Sequence, residues 1–239
     1  MLRYAITDRA RFSAESGQQA EPARQGALLR QAARLAAEGV DFLQLRERDL
    51  AAATLADLAR NLLAILRADP AHPAPKLFIN SRADVAIATC ADGVHLTSSP
   101  NELTPAQVRT LYAAASLPEP IVSLSCHTLA EVARAASSAP ENRPTLILFG
   151  PVFEKVVAEI AVPEVQASEK SPGNKKISAG AGLDLLRAAC AAAAPIPVLA
   201  LGGITRSNTD LCLDAGAAGI AAIRLFLSES APIPPSIPH

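Results

Sequence analysis

The chain has 239 residues, of which 50% are hydrophobic and 19% are charged. This composition excludes a long disordered chain, and the length suits one large α/β domain or two small ones. The net charge is -1 and aromatic residues make up only 3%. Neither a positive field nor stacking platforms for nucleic acid are therefore predicted, and we expect a small ligand rather than a nucleic-acid partner.

The cysteines and the N-terminus indicate a cytoplasmic protein. Four cysteines form no CxxC pair and lie in apolar segments, as buried free thiols do. The first ten residues lack the apolar run of a signal peptide, and no 18-residue stretch is apolar throughout. We therefore expect a reducing compartment and no membrane association.

Eight short apolar runs are predicted as β-strands, with segments of helical period between them. In chain order the strands cover residues 2–7, 42–46, 76–80, 93–97, 121–125, 146–149, 198–201 and 219–223. Thr104 with Gln107 forms a predicted capping box, and Asn208 is a predicted helix cap. This alternation favours a single (β/α)8 TIM barrel over residues 1–228, with an open doubly wound sheet as the alternative.

Two segments depart from the alternation. Residues 154–181 are charged and rich in Ser, Gly and Pro, and they follow the sixth strand, where a barrel carries a loop over its catalytic face. Residues 229–239 form a Pro-rich tail that cannot be helical. We expect a lid after strand 6 and a final helix that is short or absent.

Polar residues cluster at the carboxyl ends of the predicted strands, where barrel enzymes place their sites. Alternation along strand 2 sends Gln44 and Arg46 to the same side, into the barrel mouth. A solvated strand end with salt bridges is the alternative, but inward-pointing polar groups need partners. An anionic substrate is the natural one.

Three glycines are candidate phosphate ligands. Gly202 and Gly203 close the seventh strand and Gly219 opens the eighth, and backbone N–H groups without side chains can approach a phosphate closely. A tight turn that needs positive φ is the alternative for the Gly-Gly pair. Its position after strand 7 favours phosphate binding.

Two histidines are also candidates for the site. His127 lies just after strand 5 at the start of a helix, whose N-terminal potential favours a neutral imidazole fit for proton transfer. His95 lies within strand 4, where a packed or capping role is an equal alternative. No histidines or carboxylates stand at metal-ligand spacing, so no metal site is predicted from the residues.

These motifs together resemble the thiamine phosphate synthase/TenI family from the first strand to the eighth. The matching segments are YAITD (4–8), QLRE (44–47), FIN (78–80), ADGVHL (91–96), SCHT (125–128), FGPVF (149–153), ALGGI (200–204) and AGAAGI (215–220). The resemblance implies a (β/α)8 barrel acting on phosphorylated thiazole and pyrimidine intermediates of thiamine biosynthesis. It also suggests a homodimer.

The resemblance implies one of two activities. The synthase branch uses Mg2+ to ionise hydroxymethylpyrimidine diphosphate, so that the thiazole nitrogen captures the pyrimidine cation. The TenI branch includes a metal-free tautomerase in which a histidine moves a proton on a carboxylated thiazole phosphate. His127 matches the histidine of the SxH motif of that branch, which many synthases share.

Carried over by position, the resemblance assigns substrate contacts in the strand-end motifs. The predicted substrate-binding residues are Gln44, Arg46, Arg48, Asn80, Ser125 and Lys155, and the predicted phosphate-binding residues are Gly202, Gly203, Gly219 and Arg224. Arg48 replaces the usual Lys, and Arg224 stands where a phosphate-binding Ser is common. Ser81 replaces one Mg2+ carboxylate, and residues 97–100 lack the second.

These departures favour a TenI-like tautomerase that needs no cofactor, with His127 as the catalytic residue. The first alternative is a divergent synthase that holds Mg2+ through the diphosphate and water, helped by lysines of the loop after strand 6. The second alternative is a protein that binds a phosphorylated ligand without converting it.

Overall fold

The eight strands close into a parallel barrel in which each strand pairs with the next and β8 pairs with β1. The computed structural model describes residues 1–12, 20–69, 73–154 and 180–227. The strands are β1 (Leu2–Ile6), β2 (Phe42–Leu45), β3 (Lys76–Asn80), β4 (Gly93–Leu96), β5 (Ile121–Cys126), β6 (Leu146–Phe149), β7 (Val198–Leu201) and β8 (Gly219–Ala222). The pairing of Leu2 with Gly219 closes the barrel, which confirms the TIM barrel and excludes the open sheet.

Helices connect the strands on the outside of the barrel. They are α1 (Ala20–Ala37), α2 (Ala52–Leu66), α3 (Ala83–Thr89), α4 (Pro105–Ala114), α5 (Leu129–Ser137), α6 (Gly182–Ala193) and α7 (Thr209–Asp214). After β8 the described residues contain only a 3-10 turn, Arg224–Phe226. Most of the predicted lid and the whole Pro-rich tail, residues 229–239, lie outside the described residues.

Alternation along the strands creates two cores. Leu43 and Leu45 on β2 face outward and pack with the apolar stripes of the helices, including buried Leu58 and Leu62 of α2. The inward positions form a second cluster in the barrel, which includes Tyr4. Since successive strand residues point to opposite faces, one short apolar run can serve both cores.

The helix caps follow the sequence in one case and depart from it in another. Thr104 and Gln107 form the predicted capping box at the start of α4. The structure places Asn208 at the N-cap position of α7, but its side chain makes no capping bond there. Its amide instead donates to the Gly203 carbonyl at 3.0 Å and accepts from the Thr205 N–H at 2.8 Å. Asn208 therefore secures the loop after β7, and the predicted cap is wrong.

None of the helices in the described segments is both long enough and apolar enough to cross a bilayer.

Candidate functional site

A cavity of about 1600 Å³ opens at the carboxyl ends of the strands. Its lining brings together nine of the sequence-predicted residues: Gln44, Arg46, Arg48, Asn80, Ser125, His127, Gly202, Gly203 and Arg224. Lys155 lies outside the described residues. Because the residues come from five strand ends or the loops that follow them, the closed barrel alone accounts for their meeting.

Gly219 is the exception, and its predicted phosphate role does not fit its position. It is the first residue of β8, at the amino end of the barrel, and it pairs there with Leu2. A Cβ at Gly219 would lie 2.0 Å from the Leu2 carbonyl oxygen. The glycine is needed for close packing of β1 against β8, at the end of the barrel opposite the cavity.

Two arginines give the cavity a positive wall. Among the described residues, neither Arg46 nor Arg48 has a carboxylate within salt-bridge distance. Burial lowers the pKa of the Arg46 guanidinium from its ordinary value, and the charge of Arg48 lowers it further. The carboxylates of Asp8 and Glu47 act on the charge of Arg46 in the opposite sense, without forming an ion pair with it. Two neighbouring cations without a paired carboxylate favour an anionic ligand.

A buried ion-pair network supports the strand end that carries these arginines. Arg9 pairs with Glu47 at 2.9 Å, and both side chains are almost fully buried. Arg9 also pairs with Glu21 at 2.6 Å and Asp49 at 2.7 Å. Thr7 donates to Glu47 at 2.6 Å and accepts from the Arg46 N–H at 3.0 Å. The network therefore fixes the backbone from which the Arg46 side chain enters the cavity.

A chain of side-chain hydrogen bonds runs along the β2–β3 side of the mouth. Gln44 Nε2 donates to Asn80 Oδ1 at 3.2 Å, and Asn80 Nδ2 donates to Ser81 Oγ at 3.2 Å. Ser81 Oγ in turn donates to Glu102 Oε2 at 2.6 Å. Gln44 is 1% exposed, and its Oε1 has no hydrogen-bond partner among the described residues.

A second chain lies on β4 and β5 and reaches the interior of the barrel. His95 is bonded through Nδ1 to Ser123 Oγ at 2.8 Å and through Nε2 to Ser125 Oγ at 2.9 Å. Ser123 also meets the hydroxyl of buried Tyr4 at 3.2 Å. Burial lowers the pKa of His95 to about 3, and Arg46 and Arg48 contribute. His95 is therefore a neutral, packed residue that orients Ser125.

His127 differs from His95 in exposure and in partners. It is exposed at the mouth, between β5 and α5, and its Nδ1 is bonded to the Gly150 carbonyl oxygen. Because a carbonyl only accepts, Nδ1 carries the proton and Nε2 of the neutral ring keeps its lone pair. The Glu131 carboxylate accepts from the N–H groups of His127 and Thr128. It therefore adds a negative charge at the N-terminus of α5, next to His127.

The loop after β7 takes the conformation that its two glycines allow. Gly202 has φ of +94° and Gly203 has φ of +67°. A Cβ at Gly203 would lie 2.6 Å from Phe153 Cβ, because the loop after β6 packs directly onto it. The tight turn is thus present, and the phosphate role of these glycines stays a prediction.

The residues at the mouth do not fit a protein-held Mg2+. The family resemblance places one Mg2+ carboxylate at position 81 and a second within residues 97–100. The residues found there, Ser81 and Thr97, both donate to Glu102 Oε2. The Thr97 N–H donates to the same oxygen at 3.2 Å. Within the described segments, no three His, Cys, Asp or Glu residues lie close enough together to hold a metal. The Glu102 carboxylate, whose Oε2 already accepts these hydrogen bonds, is by itself a poor set of ligands for Mg2+.

Sequence reasoning missed Arg9 and Glu102. Neither belongs to a motif of the resemblance, and each acts through residues that do. Arg9 lies one residue after the YAITD segment, and Glu102 lies two residues before Thr104. The local pattern at Arg9 is a basic residue after a strand, and the pattern at Glu102 is an acidic residue before a helix cap. Both patterns also occur in many solvent-exposed loops.

Comparison with known proteins identifies the family. The model of the family described as thiamine monophosphate synthase matches residues 4–226. The chain belongs to this family. A thiamine-phosphate synthase of Chlorobium luteolum is 33% identical over 195 residues, covering 81% of this chain and 77% of that protein. One from Thermus thermophilus is 32% identical over 199 residues, covering 83% and 81%.

A solved structure shows the same fold. The thiamine phosphate pyrophosphorylase of Pyrococcus furiosus aligns with a TM-score of 0.66 at 23% identity, covering 97% of this chain and 89% of that one. Membership in this family makes the chain an enzyme of the thiamine-phosphate synthase family, whose members act on small pyrimidine and thiazole phosphates.

Proposed function

We propose that this chain is a metal-independent tautomerase of the TenI type, in which His127 moves a proton on a carboxylated thiazole phosphate. The observation that carries the proposal is the geometry of His127. Its Nδ1 donates to the Gly150 carbonyl, which holds the ring and leaves Nε2 as its proton acceptor. The ring lies at the mouth of the cavity that also contains Arg46 and Arg48.

The proton transfer needs a single group that can accept and return a proton. Nε2 takes the proton as a ring C–H bond breaks, and the electron pair moves through the thiazole ring. The imidazolium then returns the proton to a second carbon that is conjugated with the ring, so the substrate keeps its composition and His127 ends neutral. No electron acceptor or metal is required for this balance.

Charged groups around the cavity suit both anionic ends of this substrate. Arg46 or Arg48 would meet the carboxylate, because neither has a carboxylate partner among the described residues. Gly202, Gly203 and Arg224, which line the same cavity after β7 and β8, would hold the phosphate. The donor set at Ser81, Thr97 and Glu102, which suits Mg2+ poorly, supports a reaction without metal.

The variant His127→Asn tests the assignment. The Asn amide can still donate to the Gly150 carbonyl, but it offers no acceptor at the position of Nε2. We expect turnover of the carboxylated thiazole phosphate, measured with a chelator present, to fall by about 10²- to 10⁴-fold. The affinity for inorganic phosphate should not change. Turnover within tenfold of the unmodified protein would contradict the role of His127.

A divergent thiamine phosphate synthase is the second candidate, favoured by the names of the relatives from Chlorobium luteolum and Thermus thermophilus. In that case Mg2+ would be held by the diphosphate and water, and lysines such as Lys155 would assist. Thiamine phosphate formed from the two precursors only when Mg2+ is added would establish it. The absence of product at high enzyme concentration would exclude it.

A further inference from the structure

The hydrogen-bond chain from Gln44 to Glu102 has a fixed direction. An ionised carboxylate can only accept, so the proton of Ser81 Oγ must point to Glu102, at 2.6 Å. Ser81 Oγ can then only accept from its other neighbour, which turns Asn80 Nδ2 toward it. Asn80 Oδ1 consequently faces Gln44 and accepts from Gln44 Nε2. With every earlier group assigned, Gln44 Oε1 is the end of the chain.

The end of the chain is an unused acceptor in the ligand cavity. Gln44 is 1% exposed and lines the cavity, and its Oε1 has no partner among the described residues. A buried carbonyl oxygen without a hydrogen bond is costly, and such atoms are few in folded proteins. A donor on the ligand would satisfy it.

We propose that Glu102 is a positioning residue that orients the Gln44 amide with its oxygen toward the cavity, so that the site selects a ligand with an N–H or O–H group at this point. Glu102 does so through Ser81 and Asn80, without touching the ligand. The inference takes from the proposed function only that the ligand occupies this cavity.

The contacts of Glu102 distinguish this role from that of a metal ligand. Its Oε2 accepts from Ser81 Oγ, Thr97 Oγ1 and the Thr97 N–H. Among the described residues, its Oε1 meets only the N–H of neighbouring Leu103, at 3.4 Å. A Gln at position 102 can place its carbonyl oxygen at the site of Oε2 and keep all three donors. A positioning role therefore tolerates Glu102→Gln, whereas a metal ligand would not.

The test compares two fragments, 2-aminothiazole and thiazole, which differ by one amino donor. Binding is followed by NMR on the side-chain amide of Gln44, assigned from a Gln44→Met variant. We expect 2-aminothiazole to bind the unmodified protein about fivefold more tightly than thiazole, the value of one net hydrogen bond. Glu102→Gln should keep this preference. Glu102→Ala and Ser81→Ala, which break the chain at different places, should lose it.

The same samples provide a readout that needs no ligand. The Gln44 Nε2 protons should exchange slowly with solvent in the unmodified protein and in Glu102→Gln, and several-fold faster in the two Ala variants. Equal binding of both fragments by the unmodified protein would overturn the proposal, as would Glu102→Gln behaving like Glu102→Ala. A Mn2+ relaxation effect on Gln44 that Glu102→Gln abolishes would overturn it in favour of a metal ligand. None of these readouts depends on tautomerase turnover.

Discussion

The two halves of the barrel mouth present different chemistry to a ligand. Along β2 to β5 the groups that face the cavity are side chains, such as Gln44 and Ser125, and other side chains fix their orientation. Along β6 to β8 the wall includes two glycines of positive φ, Gly202 and Gly203, beside side chains such as Arg224. The Gly150 carbonyl after β6 holds the ring of His127. The first half carries oriented functional groups, and the second is shaped by close backbone packing.

This difference determines what each half can recognise. Oriented side chains can distinguish a donor from an acceptor on the ligand, because reversing one group leaves another unpaired. Gly202 and Gly203 have no side chains, so a bulky anion can approach the backbone there and meet its N–H groups. Substitutions in the first half should therefore act by removing hydrogen bonds or charge, whereas substitutions at the two glycines of the second half should act by steric clash.

The largest effect is expected in the buried ion pair of Arg9 and Glu47, which supports the end of β2. Arg9→Met removes the partner of Glu47, whose carboxylate is buried with it. We expect the free energy of unfolding, measured with urea, to fall by about 3–5 kcal/mol because an unpaired charge is left inside. The double variant Arg9→Met/Glu47→Gln removes that charge and should recover part of the loss. Equal stability of the single and double variants would contradict this account.

The backbone half is tested by adding one methyl group. Gly203→Ala places a Cβ 2.6 Å from Phe153 Cβ at a φ of +67°. We expect a loss of about 2 kcal/mol in unfolding free energy and weaker binding of inorganic phosphate. Gly26→Ala in α1 is the matched control, because its Cβ would meet only the end of the Arg30 side chain at 3.4 Å. Phosphate binding that is unchanged in Gly203→Ala would remove this loop from the proposed phosphate site.

At neutral pH the smallest effect comes from the buried histidine of the side-chain half, because its contribution to stability appears only in acid. The pKa of His95 is about 3 in the folded protein, below its ordinary value of 6.5. Between pH 6.5 and 3 the unfolded chain therefore binds a proton that the folded protein does not, and stability falls as the pH falls. The contribution is about 1.4 kcal/mol per pH unit, and it vanishes above pH 6.5. His95→Gln should show a shallower acid loss in urea unfolding, and parallel curves would contradict the buried neutral state.

The sequence predicts the fold well because apolar periodicity determines it locally. All eight strands lie within two residues of their predicted bounds, since each run carries its own alternation of outward and inward residues, as in Leu43 and Gln44. Asn208 shows the limit of this reasoning. Its residue type and position suit a helix cap, yet the loop after β7 offers its amide two better-placed partners.

The sequence predicts which residues form the site better than it predicts how their side chains are oriented. Strand-end positions identify Gln44, Arg46 and His127, because a barrel brings all strand ends together. The direction of a hydrogen bond depends on partners that are distant in sequence, such as Glu102 for Gln44, 58 positions away in the chain. Gly219 was misassigned for a related reason. A glycine motif does not reveal which end of the barrel it occupies.

The proposed tautomerase activity is tested by NMR of the carboxylated thiazole phosphate, incubated with the unmodified protein in deuterated buffer that contains a chelator. A tautomerase should isomerise the substrate without metal and incorporate solvent deuterium at the carbon that receives the proton, and His127→Asn should lose this activity. Thiazole phosphate that stays unchanged, with thiamine phosphate appearing only after hydroxymethylpyrimidine diphosphate and excess Mg2+ are added, would contradict it and establish a synthase.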